Sequence, residues 1–184
     1  MADYKTLFLE LNDRLAEQDI YLTIICGGGF VLQYHNIRAT QDVDAFYKQD
    51  SKIEKIIESI GQKYNMNTPT ELWLNNSIAN MNLKPSEDIC ETIYSYSNLI
   101  VKIPPLQYII GMKLESQRER DISDAGEIIK VLHEISPFNL MQYLKKYNFT
   151  IDISLVMEAF SEAYGMEWLE GFYLEHENEL KKYF

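Results

Sequence analysis

Two carboxylates two residues apart, Asp42 and Asp44, stand shortly downstream of a run of three glycines, Gly27-Gly28-Gly29. An apolar segment with Leu22, Ile24 and Ile25 leads into the glycines, and the run between glycines and acids carries Arg38 and Thr40. Side chains alternate faces along a strand, so the spacing predicts that Asp42 and Asp44 point the same way, roughly 7 Å apart. Two hard oxygen donors then lie beside a turn whose backbone N–H groups can hold phosphate, the minimal set for a metal–nucleotide site. The run is not a Rossmann fingerprint, which needs G-x-G-x-x-G, nor a Walker loop, which needs G-K-[ST]. A triple glycine alone is more often a tight turn, and paired aspartates are common at solvated strand ends. The order and spacing of the two together carry the reading.

The elements that must position these residues alternate. Asp3 caps a first helix to about residue 17, with Leu7, Leu11 and Leu15 as its apolar stripe. Residues 21–26 read as a buried strand, 30–35 as a short helix stopped at Asn36, 43–47 as a strand, and 51–64 as a helix with Ile53, Ile56, Ile57 and Ile60 inward. Residues 73–83 fit helix or strand. Residues 91–96 and 98–103 alternate with a period near two and are rich in Ile, Tyr and Val, so they read as strands joined at Ser97-Asn98. Pro104-Pro105 ends the sheet region. Helical patterns follow at 106–117, 123–135, 137–147, 154–163 and 167–182, and the tail's Tyr164, Trp168, Phe172 and Tyr173 form an aromatic face. The expected fold is α+β: an α/β core over 1–104 with a mixed sheet flanked by helices, then an all-helical portion over 105–184 packed on it.

Bulk properties narrow the function. At 184 residues the chain has room for one sizeable core, and 46% apolar with 24% charged residues is ordinary for a globular protein. No apolar run reaches ~18 residues, the first residues lack a signal-peptide pattern, and Cys26 and Cys90 show no redox or metal spacing. A reduced, cytoplasmic protein without a membrane span is the economical expectation. Net charge is −11, and residues 152–184 hold eight acids against two lysines. A broad surface for duplex DNA is therefore not expected, which still leaves room for a small local basic patch. His35, His133 and His176 show no ligand spacing, and Ser77 has no nucleophile-elbow context.

The run I-C-G-G-G-F-V-L-Q-Y-H-N-I-R-A-T-Q-D-V-D resembles the signature of small bacterial proteins of the nucleotidyltransferase superfamily, which include the AbiEii-type toxins and the related family DUF6036. Asn36 stands where the family often has glycine and keeps the same left-handed tolerance. The segment G-M-K-L-E-S-Q-R-E-R-D-I-S-D, residues 111–124, is similar to the family's second motif, M/A-K-L-x-A-x-x-R-x-R-D-x-x-D. The resemblance spans roughly residues 20–135.

It implies a nucleotidyltransferase-like sheet in which Asp42 and Asp44 bind Mg²⁺ carrying a nucleoside triphosphate, with Gly27 and Gly28 at the phosphates. Arg38, Thr40 and Arg120 would complete the nucleotide site, and Lys113 and Asp124 would join the two aspartates in catalysis. The reaction implied is transfer of a nucleoside monophosphate to an acceptor (RNA, protein or small molecule), by a toxin-like protein with an antitoxin partner or as a homodimer. Active members usually carry a third carboxylate on a later strand, although some work without it; Glu91 is the best candidate, with Asp88 behind it. A catalytically silent module of the same fold is the alternative.

The second motif also reads from its residues. As one continuous helix, 111–124 would align Lys113, Gln117, Arg120 and Asp124 on a single face. The other reading has Asp121 capping a new helix at Ser123, with Asp124 near its positive end and Arg118 and Arg120 solvated.

Overall fold

The computed structural model describes residues 3–81 and 83–183, which form two compact units, 1–105 and 106–184. In the first, α1 (Tyr4–Ala16), β1 (Leu22–Cys26), α2 (Gly28–Tyr34), β2 (Val43–Phe46), α3 (Ser51–Tyr64), β3 (Leu74–Asn75), β4 (Glu91–Ser95) and β5 (Leu99–Ile103) follow in order. The strands make one mixed sheet in the order β3-β2-β1-β5-β4. The central pair β1 and β5 is parallel, as is β2 with β3, whereas β2 runs antiparallel to β1 and β4 to β5. The second unit is helical throughout: α4 (Leu106–Ser116), α5 (Glu119–Leu132), α6 (Pro137–Lys146), α7 (Ile153–Tyr164) and α8 (Met166–Leu180). The fold is α+β with a helical C-terminal portion, and none of the described helices is long and apolar enough to cross a membrane.

The sequence places these elements through ordinary periodicities. Leu7, Phe8, Leu11 and Leu15 bury one stripe of α1, and Ile53, Ile56, Ile57 and Ile60 bury one stripe of α3. Asp50 starts α3 by accepting the Lys52 N–H at 2.8 Å, and Asn65 ends it in the left-handed region at φ 53°. Asn36, at φ 58°, turns the chain out of α2 in the same way. Tyr96 N–H donates to the Leu99 carbonyl, closing the β4–β5 hairpin over Ser97-Asn98. Asn12 of α1 accepts the Asn98 N–H at 2.8 Å, tying that turn to the first helix.

The segment 73–83 mixes both expectations. Trp73, fully buried, packs edge-on against Phe8 and donates its indole N–H to the Ile57 carbonyl. Its own carbonyl accepts the Val43 N–H at 2.7 Å, which sets β3 beside β2. A two-residue strand therefore precedes a 3-10 turn at Ser77–Met81, while position 82 lies outside the described residues. Strand and helix signals overlap there because each element is too short to complete a period.

The second unit departs from a continuous 111–124 helix. Gln117 adopts φ 54° and Arg118 is extended, so α4 stops at Ser116 and α5 starts at Glu119. α5 begins four residues before the expected 123, and the shared face of Lys113, Gln117, Arg120 and Asp124 does not form. The tail's aromatic face is narrower than expected. Trp168 stacks on Phe160 and Phe172 at 5.4 and 5.1 Å, and Tyr164 joins it at 5.4 Å, whereas Tyr173 is exposed. Residues 168 and 172 are one turn of α8 apart, Tyr164 reaches them from the end of α7, and 173 lies about 100° further around α8 than 172.

A residue with a Cβ costs roughly 1–2 kcal/mol in the left-handed region. Gln117→Gly is expected to stabilise the protein by up to about 1 kcal/mol after the extra unfolded-state entropy of glycine. A urea midpoint that falls instead would show that the Gln117 side chain contributes more than its backbone costs.

Candidate active site

The sheet brings the glycine turn and the aspartate strand into direct contact. Cys26 pairs with Ala45 across β1 and β2, and the next rung is the Gly27 N–H donating to the Asp44 carbonyl at 2.8 Å. Gly28 then takes φ +53°, a conformation that L side chains rarely adopt, and starts α2. A Cβ on Gly28 would lie 2.6 Å from Asp44 Oδ2, and one on Gly29 would lie 2.6 Å from Thr40 Oγ1. The glycines are thus what lets a carboxylate and a hydroxyl close onto the backbone. The Gly27 amide is spent on the ladder, which corrects its assignment as a phosphate donor; the first amides of α2 have no partner inside the helix and are the ones left for an anion.

Each aspartate is held by a hydroxyl. Thr40 Oγ1 donates to Asp42 Oδ1 at 3.0 Å, and Ser77 Oγ donates to Asp44 Oδ1 at 2.7 Å. Thr40 is itself pinned: its N–H donates to Gln33 Oε1 at 2.8 Å and its carbonyl accepts from the Tyr4 hydroxyl at 3.2 Å. Burial and then the charge of Asp42 push the Tyr4 phenol up to about 12, so it stays a donor. Burial, reinforced by Asp44, raises the Cys26 thiol well above its usual range, which keeps it neutral. Arg38 reaches the same turn, with Nη2 3.5 Å from where a Gly29 Cβ would stand. Asp42 and Asp44 are half-buried, and among the described residues neither is in an ion pair. Two such carboxylates, each with one oxygen oriented by a hydroxyl, are hard oxygen donors of the kind a Mg²⁺ ion takes alongside phosphate oxygens.

Glu91 does not join them. It sits on β4, three strand spacings or about 14 Å from β2. Its charge is felt by His35, at the far end of α2 from Gly28; burial lowers that imidazole's pKa and Glu91 works against the shift. Asp88 is engaged instead with Ser86 and, more weakly, with Lys102. Among the described residues no three His, Cys, Asp or Glu side chains group to hold a metal. Beside Asp44, on the neighbouring strand, the register places Asn75.

In the helical unit, Lys113 forms ion pairs with Asp121 and, at 2.8 Å, with Asp124, all three nearly buried. Ser116 donates to the other oxygen of Asp121. Burial opposes ionisation of Asp121, but the bonds from Lys113 and Ser116 outweigh it and hold the carboxyl below its usual value. Arg118 is the extended residue before α5, and Arg120 is exposed in its first turn. Asp121 is thus a partner of Lys113 rather than the cap of a helix at Ser123.

The family model for nucleotidyltransferases of unknown function, DUF6036, matches residues 2–156. The chain belongs to this family. The match takes in the whole sheet unit and both motifs, and extends past the 20–135 stretch on either side. Neither curated proteins nor solved structures gave a match. The residues of the two sequence motifs divide between the units: Gly28, Arg38, Thr40, Asp42 and Asp44 gather in the first, and Lys113 and Asp124 cluster with Asp121 in the second. Ser77, Asn75 and Asp121 are additions. Ser77 carried no local signal, since its partner Asp44 lies 33 residues away. Asp121 did, by its helical spacing of three from Asp124.

Ser77→Ala should weaken Mn²⁺ or Mg²⁺ binding about 10-fold while leaving the unfolding midpoint nearly unchanged, and Ser77→Thr should restore it. Titration calorimetry with either ion checks this, and unaltered affinity in the alanine variant would sink the clasp. Asp121 titrates lower folded than unfolded, so its stabilisation is complete above about pH 4 and is lost as pH falls through the folded value. Melting between pH 5 and pH 2.5 should show a steeper acid loss in the native chain than in Asp121→Asn.

Proposed function

We propose that the protein transfers a nucleoside monophosphate from a nucleoside triphosphate to an acceptor at the Gly28–Asp44 site. The observation that supports this most is the closure of both carboxylates onto one glycine turn: Asp44 on Gly28 directly, and Asp42 through Thr40 on Gly29. Asp42 and Asp44 would hold the Mg²⁺, which when bound supplies charge neutralisation at the phosphates. Arg38 adds a fixed positive charge at the same turn. Thr40 and Ser77 keep the carboxylates oriented, so little reorganisation is needed during reaction.

In the step itself an acceptor hydroxyl oxygen bonds to the α-phosphorus in line with the leaving group. The α–β phosphoanhydride bond breaks, pyrophosphate leaves with the electron pair, and the hydroxyl proton passes to a site carboxylate or water. The resemblance to AbiEii-type toxins supports a toxin-like role with an antitoxin partner.

A second reading, a nucleotide-binding module without turnover, draws support from Asn75, a neutral amide on the strand beside Asp44. Asp42→Asn and Asp44→Asn separate these readings. Under the first, each variant loses metal-dependent triphosphate binding and at least 100-fold of the transfer of α-³²P label to acceptor pools. Under the second, the native chain binds triphosphate and transfers none. Triphosphate binding untouched by both substitutions removes the site from either reading.

A further inference from the structure

The outer face of α8 combines three features that the helical unit itself does not require. Trp168 and Phe172 stack on the inner side of the helix, which puts Met166, Glu167, Glu170, Gly171 and Leu174 on the opposite side, all of them exposed. This stretch precedes the kink at His176. It also lies beyond the family match, which ends at residue 156.

The first feature is apolar. Leu174 is 85% exposed, and Met166, about two turns earlier on the same face, is 60% exposed. The second is Gly171. Its backbone is helical rather than left-handed, and a Cβ built on it would meet nothing within 4 Å. A glycine inside a helix weakens it relative to alanine, and here neither backbone conformation nor packing calls for one. What the missing side chain creates is a notch beside Leu174, into which a ridge of another helix can sink. The third feature is charge. Glu167 and Glu170 border the notch, neither is in an ion pair among the described residues, and no Lys or Arg occurs between Lys146 and Lys181.

Charge selects the occupant. A second copy meeting the same face would set Glu167 and Glu170 against their own counterparts, and a polyanion would be repelled outright. A partner with Lys or Arg on either side of an apolar ridge satisfies both the acids and the Leu174–Gly171 surface. The spacing of the face, in steps of three and four, is that of helix laid on helix.

We infer that the outer face of α8 docks a basic amphipathic helix of a partner protein, its apolar ridge seated over Gly171 beside Leu174 and its cationic groups on Glu167 and Glu170. This docking does not depend on the proposed nucleotidyl transfer.

The probe is a short helical peptide of leucine and lysine in heptad order, labelled for fluorescence anisotropy and titrated with the full chain. Its counterparts are a peptide of the same composition in scrambled order and a leucine–glutamate heptad peptide. The leucine–lysine heptad should bind about 10-fold or more tightly than either. Gly171→Gln should raise the urea midpoint, because glutamine is the better helix former, and weaken the peptide about 10-fold by filling the notch. Opposite signs on folding and docking are not expected of a glycine with a merely structural role. Leu174→Gln should weaken the peptide similarly and leave the midpoint nearly unchanged. No binding of the heptad peptide, equal binding of the scrambled one, or binding untouched by both substitutions would overturn the inference. So would a dimer in sedimentation that Leu174→Gln dissolves, which would assign the face to a second copy.

Discussion

The approach of the Asp44 carboxylate to the backbone of Gly28 is the constraint on which the candidate site depends. An L-residue at position 28 would suffer twice, from its left-handed φ and from an oxygen standing 2.6 Å from its Cβ. Only because that volume is empty can β2 keep its register against β1 while α2 starts within one residue of the strand end. Thr40 repeats the arrangement over Gly29, and through it Asp42 is aimed at the same turn. The hydrogen bonds that hold Thr40 on three sides come from α1, α2 and the loop entering β2. The geometry of Asp42 is therefore fixed largely by the packing of the first forty residues, and that of Asp44 by the glycine turn together with Ser77.

The two units solve the problem of burying charge differently. In the sheet unit the acids meet neutral hydroxyls, which orient a carboxylate without cancelling its charge and so leave its attraction for a cation intact. In the helical unit, Lys113 lies between two aspartates, and the charge is largely cancelled inside the protein. A buried ion pair returns little net stability once desolvation is counted, but removing one partner leaves an uncompensated charge, at a cost of about 3–5 kcal/mol. An activity loss on substituting Lys113 would therefore mix chemistry with folding, whereas Asp42 and Asp44 are better placed to report on chemistry alone.

Most of the architecture could be read from periodicity. The α1 and α3 stripes, the β1–glycine–α2 turn, the β4–β5 hairpin and the wholly helical second half all follow from local patterns that tertiary packing reinforces. What could not be read depends on contacts between distant segments or on elements shorter than one period. β3 is two residues long and owes its place to Trp73, whose indole and carbonyl bond to Ile57 and Val43. The break at Gln117 is a backbone choice that glutamine does not advertise. Glu91 was drawn in by its acid type and strand-like surroundings, but a strand's place in the sheet order is not encoded in its own residues. Ser77 shows the converse: its neighbours in sequence give no signal, because its partner is a carboxylate on β2.

The Lys113, Asp121 and Asp124 cluster has a consequence for how this sequence can drift. A neutral replacement at any one of the three changes the balance of a nearly dry compartment, and Ser116 is matched to one oxygen of Asp121 alone. A single neutral substitution there carries the cost of an unpaired buried charge, which a matching second change at a partner position relieves. Gln117 sits inside the same loop without sharing that restriction. Neighbouring residues of one motif thus evolve under quite different rules: some as a linked set, others independently.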